Sequence, residues 1–445
     1  MIRGEGMTPE AARLYEAAAE LRIVDVHEHL GPETPLDMDL CRLIAHDNYL
    51  CTDLAAAGMG PAAMGRLADL EVPEEERWRS LSPFWQRVRF GAYARGLVYS
   101  LDALYGIGGL SARDLGVQEA AVAAASERLR ADYATPGIFR RVLHDACRID
   151  EVYTQGEPVD CGQPRFRWLA RPLDRADFSP GGAFAQDARS LGLVVRTAEG
   201  LRAAMDAILS RFRERGACGF KIAALPWAEP TEQEVSEALR AASSGRRRDL
   251  PTQPPEQAYQ AYMESTPLVR LYVSRIAARA AEFDLPVAVH AGAPWTSWQD
   301  YRVWEPTAII PLLLRYRETR FDLYHAGFPW GTPTSMLGKA FPNVWQDLSW
   351  AHLMSPELAV RSVGEWLDLV PVNKVLGFGG DFRNETVVLV AGHLELARRN
   401  LATALGRRVS EGTMGDEEAR DIHRLWLADN PRTLYRSGGM NGFTS

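Results

Sequence analysis

Two histidines, His27 and His29, stand one residue apart at the end of the short apolar run "RIVDVHEHL". If this run forms a β-strand, alternate side chains share a face, so both imidazoles point the same way, about 7 Å apart along the chain. Two imidazoles aimed into one space can hold a metal ion. They can also be two hydrogen-bonded polar residues at a strand end, because a single H-x-H pattern is short and often matches by chance.

Four further residues that could do chemistry follow or end short apolar runs later in the chain. "CGFKIAAL" carries Lys221, "PVAVHAG" carries His290, "FDLYHAG" carries His325 and "KVLGFGGDF" carries Asp381. Each of them alone has an ordinary structural interpretation as a polar residue at the end of a strand. They form one site only if the fold brings the ends of these runs together.

The elements that could do so alternate along the chain. Most of the apolar runs are separated by segments with apolar residues at helical spacing, which predicts a (β/α)₈ TIM barrel of the α/β class. An open doubly wound sheet is disfavoured because no G-x-G-x-x-G turn follows the first strand. The predicted strands are residues 23–27, 149–154, 166–171, 218–225, 286–292, 321–327, 343–350 and 374–382.

The rest of the chain reads as helices and connections. Thr8, Pro9 and Glu10 are start signals for a helix within residues 8–21. Residues 31–148 show helical spacing without a convincing strand and are predicted to be a helical insertion after the first strand. The irregular stretch at residues 228–266 is interpreted as a surface excursion and not a domain linker, because the barrel needs strands on both sides of it. Residues 1–445 are therefore predicted to form one barrel domain with that insertion inside it.

In a parallel barrel the carboxyl ends of all strands meet at one mouth, where catalytic groups lie. Imidazoles and a carboxylate at that mouth make a nitrogen and oxygen ligand set that suits Zn²⁺ or a similar divalent ion. Such an ion would lower the pKa of a bound water and polarise a substrate carbonyl. The residues predicted to converge there are His27, His29, Lys221, His290, His325 and Asp381.

The motifs "VDVHEH", "GFK", "VAVHAG", "DLYHAG" and "GFGGD" resemble those of the amidohydrolase superfamily of metal-dependent barrels. "FDLYHAGFPW", "NVWQDLSW" and "KVLGFGGD" are most similar to the branch that contains uronate isomerase, metal-dependent decarboxylases and nodulin/glutamine-synthetase-associated amidohydrolase domains. The resemblance implies that Asp381 is both a metal ligand and a proton acceptor for an attacking water. It implies that His325 is either a ligand of a second metal or a general acid/base facing the substrate. The further metal ligands that it implies are His27, His29 and His290.

Lys221 has two interpretations within this resemblance. In binuclear members a lysine on the fourth strand is carbamylated and bridges two metals, and only the neutral amine that burial favours can react with CO₂. In other members the position pairs with a substrate carboxylate or is structural. We expect one divalent ion, most simply Zn²⁺, with Lys221 near the substrate, and two ions if Lys221 is carbamylated.

Arginines and tryptophans near the predicted strand ends are candidate substrate contacts. Arg171 and Arg383 could hold an anionic substrate bidentately, although a surface salt bridge is the commoner role of an arginine. The tryptophans could form an aromatic pocket wall, with Trp295 and Trp330 as the substrate contacts, or could simply pack loops against the insertion. The tryptophans just beyond strands four to seven are Trp227, Trp295, Trp298, Trp330 and Trp350. The remaining histidines, interpreted as structural or exposed, are His46, His144, His352, His393 and His423.

Composition limits the partners and the compartment. The net charge of −8 argues against a nucleic-acid partner, and no apolar stretch is long enough to predict a membrane span. Five cysteines without clustered spacing, and no signal-peptide pattern, indicate a cytoplasmic protein without a disulfide framework. The expected partner is a small-molecule substrate, and a homo-oligomer stays open.

Three functions are compatible with these residues and motifs. The first is a metal-dependent hydrolase that cleaves an amide, lactone or ester bond of a small substrate with a metal-activated water. The second is a non-hydrolytic enzyme on the same site, either a uronate-type isomerase or a metal-dependent decarboxylase. The third is a barrel without catalysis that serves as a binding or scaffold part, which the intact ligand set disfavours.

Overall fold

The computed structural model describes residues 6–155, 159, 162–244, 265–293, 298 and 300–436. In this part of the chain eight parallel strands follow one another in the order β1 to β8 around a (β/α)₈ TIM barrel, as the alternation of runs predicts. The strands are β1 (Ile23–Glu28), β2 (Ile149–Gln155), β3 (Arg165–Ala170), β4 (Ala217–Ala223), β5 (Val287–His290), β6 (Phe321–Leu323), β7 (Val344–Asp347) and β8 (Val375–Leu376).

Backbone hydrogen bonds between the segment after β8 and β1 bring the two ends of the sheet together. The N–H of Val26 donates to the carbonyl of Phe378 at 3.2 Å, and the N–H of His29 donates to the carbonyl of Phe382 at 2.8 Å. The N–H of Asp381 donates to the carbonyl of His27 at 2.6 Å. The main chains of His27, His29 and Asp381, which are candidate site residues, therefore help to close the barrel.

Helices surround the barrel and fill the chain between β1 and β2. Thr8 caps the first helix through its hydroxyl and Pro9 opens it, which confirms the predicted start signals. The α-helices are α1 (Pro9–Ala19), α2 (Leu40–His46), α3 (Asn48–Ala56), α4 (Pro61–Arg66), α5 (Glu74–Val88), α6 (Ala92–Tyr105), α7 (Leu115–Ala134), α8 (Ala183–Ser190), α9 (Ala198–Glu214), α10 (Glu232–Ser243), α11 (Pro267–Glu282), α12 (Ile310–Arg315), α13 (Gly331–Ala340), α14 (Ala351–Met354), α15 (Pro356–Leu369), α16 (Leu389–Ser410), α17 (Asp416–Arg424) and α18 (Asn430–Leu434).

The barrel interior holds a small apolar cluster rather than a continuous apolar column. Val24, Val26 and Leu376 belong to it, together with Leu434 and Tyr435 at the carboxyl end of the described chain. Two larger cores pack outside the strands, one against α1, α16 and the helices between β1 and β2, and one against α9 and α11. The barrel is thus held by its outer helices, and polar side chains occupy its mouth.

The strands β4 to β8 are all shorter than predicted, and two of them end before a residue of the site. The strand predicted over residues 321–327 ends at Leu323, because His325 and Ala326 take left-handed φ angles of 67° and 50°. The strand predicted over residues 374–382 ends at Leu376, and Asp381 has a φ of 62°. His325 and Asp381 consequently stand on sharp turns after the strands and not within them.

Glycines make the turn after β8 possible. A Cβ on Gly380 would collide with a carboxyl oxygen of the buried Glu28, and a Cβ on Gly379 would collide with the hydroxyl of Ser349. The backbone of "GFGGD" must therefore pass directly against β1 and the end of β7, which only glycine permits at these two positions.

Candidate metal centre and active-site cavity

Two imidazoles meet one carboxylate oxygen at the barrel mouth. The Nε2 atoms of His27 and His29 lie 3.0 Å and 3.1 Å from the same oxygen, Oδ1 of Asp381. His27 and His325 also approach each other, with ring centres 5.5 Å apart. One donor atom each from His27, His325 and Asp381 lie within 4.8 Å of one another, and this is the cluster of metal-ligand type found in the described part of the chain.

Neighbouring groups orient these imidazoles. The side-chain amide of Gln155 contacts Nδ1 of His27, which leaves Nε2 facing Asp381. His325 directs Nδ1 to the carbonyl of Ser349 at 2.9 Å and Nε2 to Nδ1 of His290, also at 2.9 Å. His290 therefore reaches the cluster through His325. Such outer hydrogen bonds fix ring orientation and tautomer at metal sites.

The ionisation states suit metal binding. Burial lowers the pKa of His27 and His290 well below the usual histidine value, and it lowers the pKa of His325 to about 4. Burial by itself would raise the pKa of Asp381, but the adjacent imidazoles of His27 and His29 outweigh it and hold the pKa well below its usual range. Neutral imidazoles beside an ionised carboxylate are the forms that bind a metal ion.

The donor set fits a divalent metal ion. Metal–ligand distances of about 2.0–2.2 Å place the donor atoms of a tetrahedral site about 3–4 Å apart, and the separations of 3.0 Å and 3.1 Å to Asp381 fall at that spacing. Imidazole with carboxylate is a donor set that zinc and similar ions accept. The buried cluster is therefore a candidate metal centre.

A cavity of about 230 Å³ opens in front of this centre. Its lining includes Arg171, Arg383 and Lys221. Arg171 is held in place by an ion pair with Asp174 at 2.7 Å, and one of its terminal nitrogens lies 3.5 Å from Nδ1 of His29. The structure thus brings all three predicted cationic contacts to the cavity that contains the metal-type cluster.

The tryptophans divide into different groups. Trp350 lines the cavity, whereas Trp330 does not lie among its lining residues and packs near Tyr301, with ring centres 5.8 Å apart. Trp227 is buried against Tyr316 and donates to a backbone carbonyl. Trp298 is 94% exposed. Trp295, a predicted substrate contact, lies outside the described residues.

The helices between β1 and β2 contribute a cavity wall that the sequence did not indicate. His46, Asn48 and Tyr49, at the junction of α2 and α3, line the cavity, so His46 is not merely structural or exposed. The ring of Tyr49 packs against Trp350 with centres 4.2 Å apart, and Nε1 of Trp350 donates to the hydroxyl of Tyr93 at 3.2 Å. In the sequence only the proximity of His46 and Asn48 could have indicated this cavity wall, and such a pair is too common to single out.

Comparisons with known proteins agree with this architecture. The amidohydrolase family model matches residues 174–436, more than half of the chain. No curated protein matches the sequence. Among the described helices, none combines the length and apolar character needed to cross a bilayer.

Solved structures similar to the chain include two isomerases. Glucuronate isomerase from Caulobacter crescentus is 19% identical, with a TM-score of 0.72 and coverage of 98% of this chain and 96% of that chain. Uronate isomerase from Thermotoga maritima is 18% identical, with a TM-score of 0.75 and coverage of 98% and 100%. A protein from Lactobacillus casei described as a metal-dependent hydrolase is 18% identical, with a TM-score of 0.62 and coverage of 95% and 97%. At these identities the likeness establishes a shared fold.

Proposed function

Because the chain belongs to the amidohydrolase family, we propose that it is a metal-dependent enzyme that isomerises a small sugar-type acid carrying a carbonyl group beside a hydroxyl group. The observation that carries this proposal is the cavity itself. At one side it presents the cluster of His27, His29 and Asp381, and its lining also carries Arg171 and Arg383. That arrangement suits a molecule with oxygen ligands at one end and a carboxylate at the other.

We assign the metal to His27, His29 and Asp381, with His290 as a further ligand in preference to His325, because both ring nitrogens of His325 are hydrogen-bonded, to Ser349 and to His290. One Zn²⁺ ion is the expected occupant. When bound, such an ion would polarise the carbonyl and hydroxyl oxygens of the substrate. His325 does not line the cavity, and it is assigned to proton transfer through His290, which does and to which its Nε2 is hydrogen-bonded. Asp381 would accept a proton in the hydrolytic alternative below.

The substrate carboxylate is assigned to Arg171 and Arg383. A guanidinium can bind a carboxylate through two parallel hydrogen bonds, and the ion pair with Asp174 already limits the freedom of Arg171. A cavity of about 230 Å³ suits a small molecule and excludes a polymer chain. Isomerisation is preferred because two uronate isomerases share the fold over 98% of this chain, including the helices between β1 and β2 that complete the cavity.

Hydrolysis of a lactone, ester or amide is the second candidate, and the position of Asp381 favours it. Its carboxylate oxygen lies beside two ligand-type nitrogens, where it could accept a proton from an attacking water. The two reactions differ in the fate of solvent oxygen. Hydrolysis places one oxygen from water in a new carboxylate of the product, whereas isomerisation needs no water.

The test uses Zn²⁺-loaded protein with D-glucuronate and, separately, with D-glucuronolactone. Under the proposal, D-glucuronate is converted to its ketose, which nuclear magnetic resonance detects, and the lactone is not opened faster than without protein. Opening of the lactone with ¹⁸O from H₂¹⁸O in the carboxylate, without ketose formation from D-glucuronate, would replace isomerisation with hydrolysis. The Arg171→Met and Arg383→Met variants should raise KM for D-glucuronate, since each loses a charge-assisted hydrogen bond worth about 1.5–3 kcal/mol, or about 10–100-fold.

A further inference from the structure

Lysine is a rare residue in this chain. Only three of its 50 lysine and arginine residues are lysines, at positions 221, 339 and 374. Arginine thus supplies nearly every positive charge of the protein. One of the three lysines lines the cavity of the metal centre. Unlike an arginine, a lysine can lose its proton in a protein.

No hydrogen bond from the described residues holds the amine of Lys221 in the charged form. Lys221 is 7% exposed, and its Nζ makes no hydrogen bond to any of the described residues. Nζ lies 3.6 Å from the ring centre of Tyr324, whose other contacts include the ring of His27 at 4.4 Å. The amine and a ligand imidazole therefore pack against the same tyrosine ring, and Lys221 lines the cavity beside them.

The other two lysines allow a comparison within the same protein. Nζ of Lys374 donates to the carbonyls of Gly338 and Phe341, at 3.3 Å and 2.9 Å. Lys339 is exposed on α13. Lys374 is as buried as Lys221, at 8% and 7% exposed, but Nζ of Lys221 has no hydrogen bond to the described residues and Lys221 lines a cavity. A bound molecule can supply the missing partner.

The charged groups around Lys221 do not compensate its burial. The carboxyls of Asp322 and Asp347 take their hydrogen bonds from Tyr435 and Ser349. Burial also raises the pKa of Asp322 to about 7 and that of Asp347 well above its usual value, so neither is a full counterion at neutral pH. Burial lowers the pKa of Lys221 itself well below that of an ordinary lysine. The charged groups that act on Lys221 are Asp381, Arg171, Asp322 and Asp347.

We propose that Lys221 is the catalytic base that moves the carbon-bound proton of the substrate. This inference rests on the proposed isomerisation. The neutral amine removes the proton from the carbon that bears the hydroxyl group, and the electron pair of that C–H bond forms the double bond of an enediol. The hydroxyl proton passes to the neighbouring oxygen, and the ammonium returns its proton to the former carbonyl carbon. No atom is gained or lost, and Lys221 ends as the neutral amine.

A test separates this role from simple charge complementarity. Lys221→Arg keeps a positive charge but cannot act as a base, because a guanidinium does not lose its proton in proteins. Lys221→Met removes the charge as well and keeps an unbranched side chain of similar length. Lys339→Arg, on the surface, is the matched control. The melting temperature of each Zn²⁺-loaded variant shows whether it folds.

The assay follows D-glucuronate in D₂O. Wild type and Lys339→Arg should place deuterium on the carbon that receives the proton, because the hydrogens of an amine mix with those of the solvent. Lys221→Arg should lose about 10²–10⁴-fold in kcat, the usual contribution of a positioned acid–base group, while KM stays within a few-fold. Lys221→Met should lose as much in kcat and should not exchange the carbon-bound proton.

Four results would overturn the inference. If a folded Lys221→Arg or Lys221→Met variant isomerises D-glucuronate as fast as wild type, the role of Lys221 is refuted and the proposed function stands. Complete retention of the carbon-bound hydrogen in the wild-type product refutes an amine base in the same way. Activity that requires bicarbonate indicates a carbamate in place of the free amine. Failure of wild type to isomerise D-glucuronate refutes the proposed function, and the inference fails with it.

Discussion

Removal of two imidazoles tests the metal centre directly. In the His27→Ala/His29→Ala double variant, the two nitrogens that lie 3.0 Å and 3.1 Å from Asp381 are gone. Zn²⁺ bound by four protein ligands gains about 10–16 kcal/mol, or about 2.5–4 kcal/mol for each ligand. Loss of two ligands should therefore weaken binding by about 5–8 kcal/mol, which is about 10⁴–10⁶-fold.

The measurement is elemental analysis after dialysis against a Zn²⁺ buffer, for wild type, the double variant and two controls. His144→Ala is the matched control, because His144 is bonded to Asp145 at 2.8 Å and does not line the cavity. His29→Ala alone disturbs packing less, since His29 is half-buried, and it should lose about half of what the double variant loses, about 2.5–4 kcal/mol. A folded double variant that still holds one ion per chain would refute the assignment of the metal to this cluster.

Three further predictions use the same preparation. Asp381→Asn should suppress turnover severely and loosen the metal, whereas His325→Asn should keep one ion and lose about 10²–10⁴-fold in turnover. Elemental analysis and kinetics measure both effects, and loss of the ion from the His325→Asn variant would show that His325 is a metal ligand and not an acid/base. Reconstitution of the metal-free protein should give one ion per chain with or without bicarbonate, because a free Lys221 needs no CO₂, and ions and activity that rise together with bicarbonate would show a carbamylated binuclear site. Arg77→Met should lower the free energy of unfolding by about 3–5 kcal/mol in urea, because it leaves the buried carboxylate of Asp39 without its bidentate partner.

The meeting of the candidate site residues at one end of the barrel could be predicted from the sequence, because strand periodicity and chain order determine it. Runs that alternate with helices must form parallel strands, and their carboxyl ends must meet at one mouth. This prediction does not depend on side-chain packing. In the structure His27 and His29 do contact Asp381. The prediction also correctly brings Arg171 and Arg383 to the same cavity.

The orientation of individual side chains could not be predicted in the same way. Trp330 and Trp350 both follow a strand end, but only Trp350 lines the cavity, and its left-handed φ of 64° is a property of the folded turn. The wall formed by His46 and Tyr49 depends on how α2 and α3 pack over the mouth, which no periodicity encodes. Tertiary packing, and not local pattern, selects these residues.

The backbone conformation at the mouth explains why this site needs a large surrounding fold. His325, Trp350 and Asp381 all take φ angles between 62° and 67°, which non-glycine residues adopt at a cost of about 1–3 kcal/mol each. Buried acids hold the turn at Asp381: Asp25 accepts the N–H of Gly380 at 3.0 Å, and a carboxyl oxygen of a neighbouring acid accepts the N–H of Phe382 at 2.6 Å.

That neighbouring acid is Glu28, which is fully buried beside Asp25. Burial and the adjacent Asp25 raise the pKa of Glu28 well above its usual value, so Glu28 keeps a proton that it can donate to Asp25. Because the pair shares one negative charge, it can accept backbone N–H groups from the segment after β8 without strong repulsion inside the barrel wall. The same β1 residues that precede and separate the two histidines therefore fix the position of Asp381 opposite them. The H-x-H motif and the distant aspartate form one unit because their main chains, and not only their side chains, are bonded to each other.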